Sequence, residues 1–267
     1  MLKDITLGQY FPGNTLIHRM DPRMKILLTL GYIVILFVAD GVFSYAVILL
    51  WLALAVSISR IKPSVILKGV KPLVFVIALT GILNMFYTPG RTLVEFWIFK
   101  ITYEGIYTAV FMVIRIIMLI TGTFLLTYTT SPILLTDGIE KLMKPLAKIR
   151  VPVHELAMMM TIALRFIPTL IEEADKIMNA QKARGADFET GSVIKRAKAL
   201  IPLLVPLFIS AFRRADELAT AMECRCYRGG EGRTRLRQLR YTEIDFYALA
   251  VSIVLWGCVI VFKVLGI

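Results

Sequence analysis

The chain has 267 residues, 57% of them apolar, and a mean hydropathy of +0.73. Soluble domains hold about 45–50% apolar residues, so the composition is that of a membrane protein. A formal net charge of +12, which in a soluble chain would suggest nucleic acid, is here first a topology signal or an attraction to anionic lipid. The three cysteines give no disulfide framework. Cys224-Arg225-Cys226 has no second ligand pair, and His18 and His154 lie far away in sequence, so no metal site is expected.

Met1 to Arg23 is too polar for a signal peptide, and the N-terminus is expected in the cytoplasm. His18-Arg19-Met20-Asp21-Pro22-Arg23-Met24-Lys25 sets basic residues before the first apolar run, with Asp21 as N-cap and Pro22 as the first helical residue. Ile26 to Ser59 is nearly all apolar. As one helix it would reach roughly 50 Å against a hydrocarbon core of ~30 Å. A tight hairpin of two spans turning at Ala39-Asp40-Gly41 fits better. Arg60, Lys62, Lys68 and Lys71 follow, with Pro63 and Pro72 as breakers before a third span, Leu73 to Tyr87. The nearly neutral segment Arg91 to Glu104 reads as extracellular. The fourth span, Gly105 to Tyr128, carries Arg115. Such a charge marks either function or a structural bond to neighbouring helices, and the second reading is favoured.

From Ser131 to Thr242 the apolar runs shorten. Leu156 to Ile171 holds Arg165 and Pro168, and Leu200 to Phe212 holds Pro202 and Pro206, so both read as amphipathic helices rather than spans. Thr130-Ser131-Pro132 caps a helix that stops near Lys144-Pro145. Two long helices follow, about Val153–Arg184 and Ser192–Arg225, then a basic tail from Gly229 and a last span from Ile244 to Ile267. The fold class is therefore an all-α polytopic membrane protein with about five transmembrane helices and a cytoplasmic region of long amphipathic helices. Its parts are 1–130 with four spans, 131–242 in the cytoplasm, and 243–267 as the fifth. The positive-inside rule puts the N-terminus inside and the C-terminus outside.

An internal repeat lies within the cytoplasmic region. Ala174-Asp175, Ala180 and Arg184 recur as Ala215-Asp216, Ala221 and Arg225, at an offset of 41 residues (225 minus 184). Each Arg falls at a helix end, where the helix dipole favours a cation and Gly185 is a natural terminator. A C-cap alone leaves the pairing unexplained. Small neighbours, Ala183 and Gly185 on one side and Cys224 and Cys226 on the other, let each guanidinium project alone toward a partner's pocket, as two equivalent plugs for two equivalent sockets.

No phosphate loop, His-Glu-x-x-His or Gly-x-Ser-x-Gly motif occurs, and no cofactor is expected, so the chain does not read as an enzyme. A stand-alone secondary transporter or channel, the alternative reading, would want mid-span acids, which are scarce. An enzyme acting on phospholipid through Arg115 would want metal-binding acids at ligand spacing. Taken together, the His18–Lys25 motif, Arg115, Thr129-Thr130-Ser131-Pro132 and the two arginine motifs resemble the transmembrane T component of energy-coupling factor transporters, the EcfT/CbiQ family. The resemblance runs over nearly the whole chain. It implies a prokaryotic, multi-pass cell-membrane subunit that couples two cytoplasmic ABC ATPases to a small hydrophobic substrate-binding S subunit for uptake of vitamins or other micronutrients. It also implies that Ala183, Arg184 and Gly185, and Cys224, Arg225 and Cys226, are the ATPase-coupling residues. Membrane lipid is the remaining partner, and nucleic acid is not one. The family often has Ala before and Gly after the second Arg, where this chain has cysteine.

Overall fold

The computed structural model describes residues 10–96, 99–186, 188, 192–229 and 238–266. The start of the chain, the glycine-rich basic tail from Gly230 to Arg237, and Ile267 lie outside the described residues. In chain order the elements are α1 (Leu16–Arg19), α2 (Pro22–Val38), α3 (Gly41–Ser59), α4 (Pro63–Val70), α5 (Val74–Tyr87), β1 (Thr92–Phe96), β2 (Phe99–Thr102), α6 (Tyr103–Thr129), α7 (Pro132–Met143), α8 (Val153–Ala183), α9 (Val193–Cys224) and α10 (Glu243–Leu265). They form two compact units, one from 8–138 with 239–267 and one from 139–238.

In the first unit, helix boundaries follow local chemistry. Asp21 caps α2 by accepting from the Arg23 amide, and Pro22 occupies the first turn, where its missing N–H costs nothing. The chain breaks at Ala39-Asp40 and restarts at Gly41, whose φ of +81° suits glycine. The expected hairpin turn is therefore present, and α10 packs against both α2 and α3. Pro72 does not end a helix as its position suggested. It sits in a single 3₁₀ turn, Lys71–Leu73, which joins α4 to α5, so the helical stretch begins ten residues before the expected Leu73. The segment expected to be an extracellular connection is an antiparallel hairpin, Thr92 opposite Thr102 and Phe96 opposite Phe99. Its β-branched and aromatic run was the available signal. This hairpin is the one exception to an all-α chain among the described residues.

Hydrogen bonds fix the direction of each long helix. The Asp21 amide donates to Asp245 at 2.9 Å and Lys25 donates to the Thr129 carbonyl at 2.9 Å, so the starts of α2 and α10 meet the end of α6. At the other end Lys263 donates to the Val38 carbonyl at 2.9 Å and pairs with Asp40 at 3.1 Å. Thus α2, α3, α4–α5, α6 and α10 alternate in direction, and the chain leaves after α6 and returns before α10 at the same end of this bundle. Its centre is filled by Tyr32, Leu36, Met118 and Val259. Tyr32 stacks on Trp51 at 5.2 Å and donates to the Met118 carbonyl at 2.9 Å. Gly122 is required beside it, because a Cβ there would lie 2.4 Å from the Tyr32 ring.

Among the described residues, five helical stretches are long and apolar enough to cross a membrane: Gly41–Ser59, Pro63–Tyr87, Tyr103–Thr129, Val153–Ala183 and Glu243–Leu265. The number agrees with the sequence reading, but the membership differs. α2, at 17 residues, sits at the lower edge of the ~17–25 a span needs. α8, rejected from sequence because of Arg165 and Pro168, qualifies because Pro168 is absorbed inside one uninterrupted helix of 31 residues.

In the second unit α7 runs through a 3₁₀ stretch, Lys144–Ile149, toward α8. α9, with 32 residues, likewise carries Pro202 and Pro206 without ending. At 1.5 Å per residue both helices reach roughly 46–48 Å. They pack on each other, yet Val153, Ala157, Ala174 and Leu203 are the only buried apolar residues in this unit among those described.

Candidate functional site

The two arginine motifs close their helices with the same backbone geometry. Arg184 is the C-cap of α8 and Arg225 that of α9. After Arg184, the Gly185 amide donates to the Lys182 carbonyl at 2.9 Å and the Ala186 amide to Gln181 at 2.9 Å. After Arg225, the Cys226 amide donates to Glu223 at 2.8 Å and the Tyr227 amide to Met222 at 3.0 Å. Every donor and acceptor of the second set lies 41 residues beyond its counterpart, so the repeat extends from side chains to hydrogen bonds. Both ends are Schellman turns, which need a left-handed residue just after the cap. Gly185 supplies it with φ +88°. Cys226 supplies it with φ +56°, a conformation that costs an L-residue roughly 1–2 kcal/mol relative to glycine.

Both guanidiniums are exposed, as are Ala183, Gly185, Cys224 and Cys226. Neither Arg184 nor Arg225 makes an ion pair among the described residues. The cysteines are free thiols, and no group of three or more metal-ligating side chains occurs among the described residues.

α8 and α9 meet at a second pair of equivalent positions. Arg214 donates to Glu173 at 2.7 Å, and Ser210 also donates to Glu173. Glu173 and Arg214 are 41 residues apart, so the two helices touch at corresponding points of the repeat and the contact is satisfied by opposite charges. From that contact each terminal Arg is eleven residues further along, or about 16 Å at 1.5 Å per residue. The pair was legible in the sequence, since the same offset that matches Arg184 to Arg225 matches Glu173 to Arg214. The repeat shows it as a change of residue type, Glu in the first copy and Arg in the second, rather than as an identity.

On α9 the exposed residues Ile201, Leu204, Val205, Phe208 and Phe212 follow one helical stripe. Charged groups occupy other positions, leaving a long apolar face that the described residues of this unit do not cover.

Arg115 belongs to the other unit. It lies within α6, donates from Nε to the Tyr45 hydroxyl at 2.6 Å and from Nη2 to the Ala39 carbonyl at 3.2 Å. Ala39 is the C-cap of α2 and is fully buried, so its carbonyl lacks water as a partner. The guanidinium supplies the missing donor. The geometry is that of a helix cap made across the bundle.

The His18–Lys25 motif also resolves into local tasks. His18 Nδ1 lies 2.7 Å from the Thr15 hydroxyl and Nε2 lies 3.0 Å from the Phe11 carbonyl. Asp21 holds Arg23 through two contacts of 3.0 and 2.7 Å, and Arg23 lies over the Tyr241 ring at 3.9 Å. Lys25 reaches the Thr129 carbonyl and the Thr130 hydroxyl. The sequence reading missed Asp245, which accepts from the Thr242 amide and hydroxyl and from the Asp21 amide. Thr242-x-x-Asp245 is a capping box whose spacing was visible in the sequence.

Comparison with known proteins gives a consistent set of relatives. Residues 13–236 match the family model described as cobalt transport protein, CbiQ. The chain is 59% identical over 247 residues to an energy-coupling factor transporter transmembrane protein EcfT of Thermosediminibacter oceani, covering 92% of this chain and 93% of that one. It is 53% identical over 263 residues to the EcfT of Ruminiclostridium cellulolyticum, covering 98% of each. Against the EcfT of Bacillus subtilis the identity is 47% over 256 residues, covering 96% of this chain and 97% of the relative.

Proposed function

From the premise that the chain belongs to the CbiQ family of energy-coupling factor transmembrane proteins, we propose that it is the scaffold and coupling subunit of an ATP-driven importer. In this reading Arg184 and Arg225, each with its small neighbours, dock two cytoplasmic ABC ATPases. The apolar stripe of α9 grips a membrane-embedded substrate-binding subunit that carries a vitamin or another micronutrient. ATP is hydrolysed by the partners, and this chain transmits the motion without catalysing a reaction itself.

The observation that carries the reading is the repeated terminus: two Schellman turns with matching hydrogen bonds, each ending in an Arg that has no ion pair among the described residues and lies eleven residues from the Glu173–Arg214 contact. A lone C-cap explains one such end. Two arms of equal length, joined at equivalent residues, suit two partners that must move together. The bidentate fork of each Arg gives direction to the contact as well as strength.

Orientation belongs to the same proposal. The end of the bundle where α2 and α10 start carries Arg19, Arg23, Lys25, Arg60 and Lys62, and the opposite end carries Asp40, Glu104, Arg91 and Lys263. By the positive-inside rule the first end faces the cytoplasm, with α2, α3, α4–α5, α6 and α10 as the five crossings. α7 to α9 leave and return on that side, which gives a cytoplasmic region over 131–242 between membrane parts 1–130 and 243–267.

The test is copurification. Losing one partner of a desolvated charge-assisted contact costs about 2–5 kcal/mol. Arg184→Ala or Arg225→Ala alone is expected to loosen one side of a two-point attachment. The double variant loses the added effective concentration as well and should release both ATPases and stop ATP-dependent uptake. Wild-type recovery of ATPases on the double Ala variant, with uptake intact, would overturn the proposal and leave the two motifs as helix caps.

A further inference from the structure

Two adjoining hollows open at the basic end of the first unit. The first, with a volume of about 290 Å³, is lined almost wholly by apolar side chains of α1, α2, α3, α6 and α10, among them Leu28, Leu54, Ala55, Leu126 and Val251. The second, of about 1090 Å³, lies between residues 11–19 and the end of α3 with the residues that follow it. Leu16 and Ile58 line both, and both are exposed, so the hollows adjoin at a shared apolar lip.

Their chemistry is opposite. Among the described residues, the charged side chains lining the second hollow are Arg19, Arg60 and Lys62, accompanied by His18, with no Asp or Glu. None of the three cations makes an ion pair among the described residues, although carboxylates are present nearby in the chain and Arg23 has taken Asp21. Arg60 adds a second, independent signal. It is the C-cap of α3 with φ +54°, in the left-handed region where a side chain other than glycine or asparagine is uncommon. A helix end needing only a left-handed residue is met best by glycine. An arginine kept in that conformation places a cation at the mouth of the hollow.

A cationic hollow adjoining an apolar one, on a protein that sits in a bilayer, matches a molecule with an anionic head and a hydrocarbon tail. We propose that the adjoining hollows bind one anionic phospholipid, its phosphate held by Arg19, Arg60 and Lys62 and an acyl chain lying against Leu54, Ala55 and Val251. The partner is the lipid itself, and free phosphate lacks the tail that the apolar hollow would accept.

The test uses the full-length chain, delipidated in detergent micelles, with native mass spectrometry and thermal melting as readouts. The probes are phosphatidylglycerol, phosphatidylcholine and inorganic phosphate. One phosphatidylglycerol is expected to be retained at least tenfold more than phosphatidylcholine, and millimolar phosphate should neither bind measurably nor raise the melting temperature. A basic side chain near an anionic headgroup is worth about fivefold in affinity. Arg60→Gly should lower phosphatidylglycerol retention by about that factor while leaving the lipid-free melting temperature unchanged or higher, because glycine relieves the backbone. The exposed triple variant Arg19→Gln, Arg60→Gln, Lys62→Gln should lose the preference altogether. Ala55→Phe should fill the apolar hollow and reduce retention with the three cations intact. Equal retention of both lipids would overturn the proposal, as would phosphate matching phosphatidylglycerol, or unchanged retention in Arg60→Gly and the triple variant.

Discussion

The two units bury their residues in different ways. The first unit has a filled centre around Tyr32, Leu36, Met118 and Val259, and its buried polar groups Asp21, Lys25 and Asp245 have hydrogen-bond partners. The second is held by the Glu173–Arg214 contact and a few small or branched residues, and α9 leaves Ile201, Phe208 and Phe212 uncovered. One unit is stabilised by its own contacts. The other buries four apolar residues among those described, and a partner that covered the exposed ones would add to its stability.

The strongest way to break the contrast is at Asp245, which is 1% exposed and accepts three hydrogen bonds. Asp245→Ala strands the buried Asp21 amide and removes a carboxylate whose field acts on Lys25. A loss of about 3–5 kcal/mol is expected, seen as poor recovery of monodisperse protein from detergent. Asp245→Asn, which keeps an acceptor, should fall between. If Asp245→Ala melts like the wild type, this cluster does not hold the first unit together.

Next comes a matched pair of truncations. Leu36 is fully buried, and Leu36→Ala leaves a cavity expected to cost about 2–4 kcal/mol. Phe208 is 61% exposed, and Phe208→Ala should change the melting of the isolated chain by less than about 0.5 kcal/mol. In the assembled transporter the ranking should change, with Phe208→Ala weakening capture of a hydrophobic partner subunit about tenfold or more if Phe208 is a buried anchor there. Equal effects of the two changes on the isolated chain would erase the distinction between the units.

The sequence disclosed the first unit and the arms to different depths. Breaks at Asp21-Pro22 and Asp40-Gly41 were legible because capping and glycine conformations are local. Pro72 misled because a 3₁₀ turn absorbs the lost helical hydrogen bond, and Arg165 with Pro168 set α8 aside although it is long and apolar enough to cross; Pro202 and Pro206 lie inside the long helix expected there, and α9 is not among the membrane-length helices. The hairpin at Thr92–Thr102 was hidden because its β-branched and aromatic run is short and broken by Glu95 and Lys100. The arginine motifs were visible as spacing, and their matching turns follow from it. What no spacing could give is the partner of Arg115, since Tyr45 and Ala39 come from seventy or more residues away.

A smaller effect sharpens the comparison of the two arms. Cys226 holds a left-handed conformation that Gly185 holds freely. Cys226→Gly should protect the last turn of α9 by about 1 kcal/mol in hydrogen exchange, and Gly185→Cys should expose the last turn of α8 by a similar amount. Opposite signs at the two ends are the expected result, and the same sign at both would mean the turns are not equivalent.

The least effect belongs to His18, at the rim of the first unit. Burial pushes its imidazole below the ordinary 6.5; the Phe11 carbonyl opposes that by favouring the charged form, and the nearby Lys25 reinforces it. A base whose folded pKa is depressed takes up its proton more readily when the chain unfolds. The fold therefore has its full stability from this group above about pH 6.5 and loses it as pH falls through the depressed folded value. Because the ring is only partly buried, solvent weakens the effect, and the melting temperature should drop by no more than about 2 °C between pH 7.5 and 5.5. His18→Gln can still bond Thr15 or Phe11 but cannot titrate in this window, so its melting curve should lose that part of the pH dependence. A variant that tracks the wild type at every pH would move the acid sensitivity elsewhere, and a wild type that gains stability on acidification would show that the carbonyl of Phe11 outweighs burial at this site.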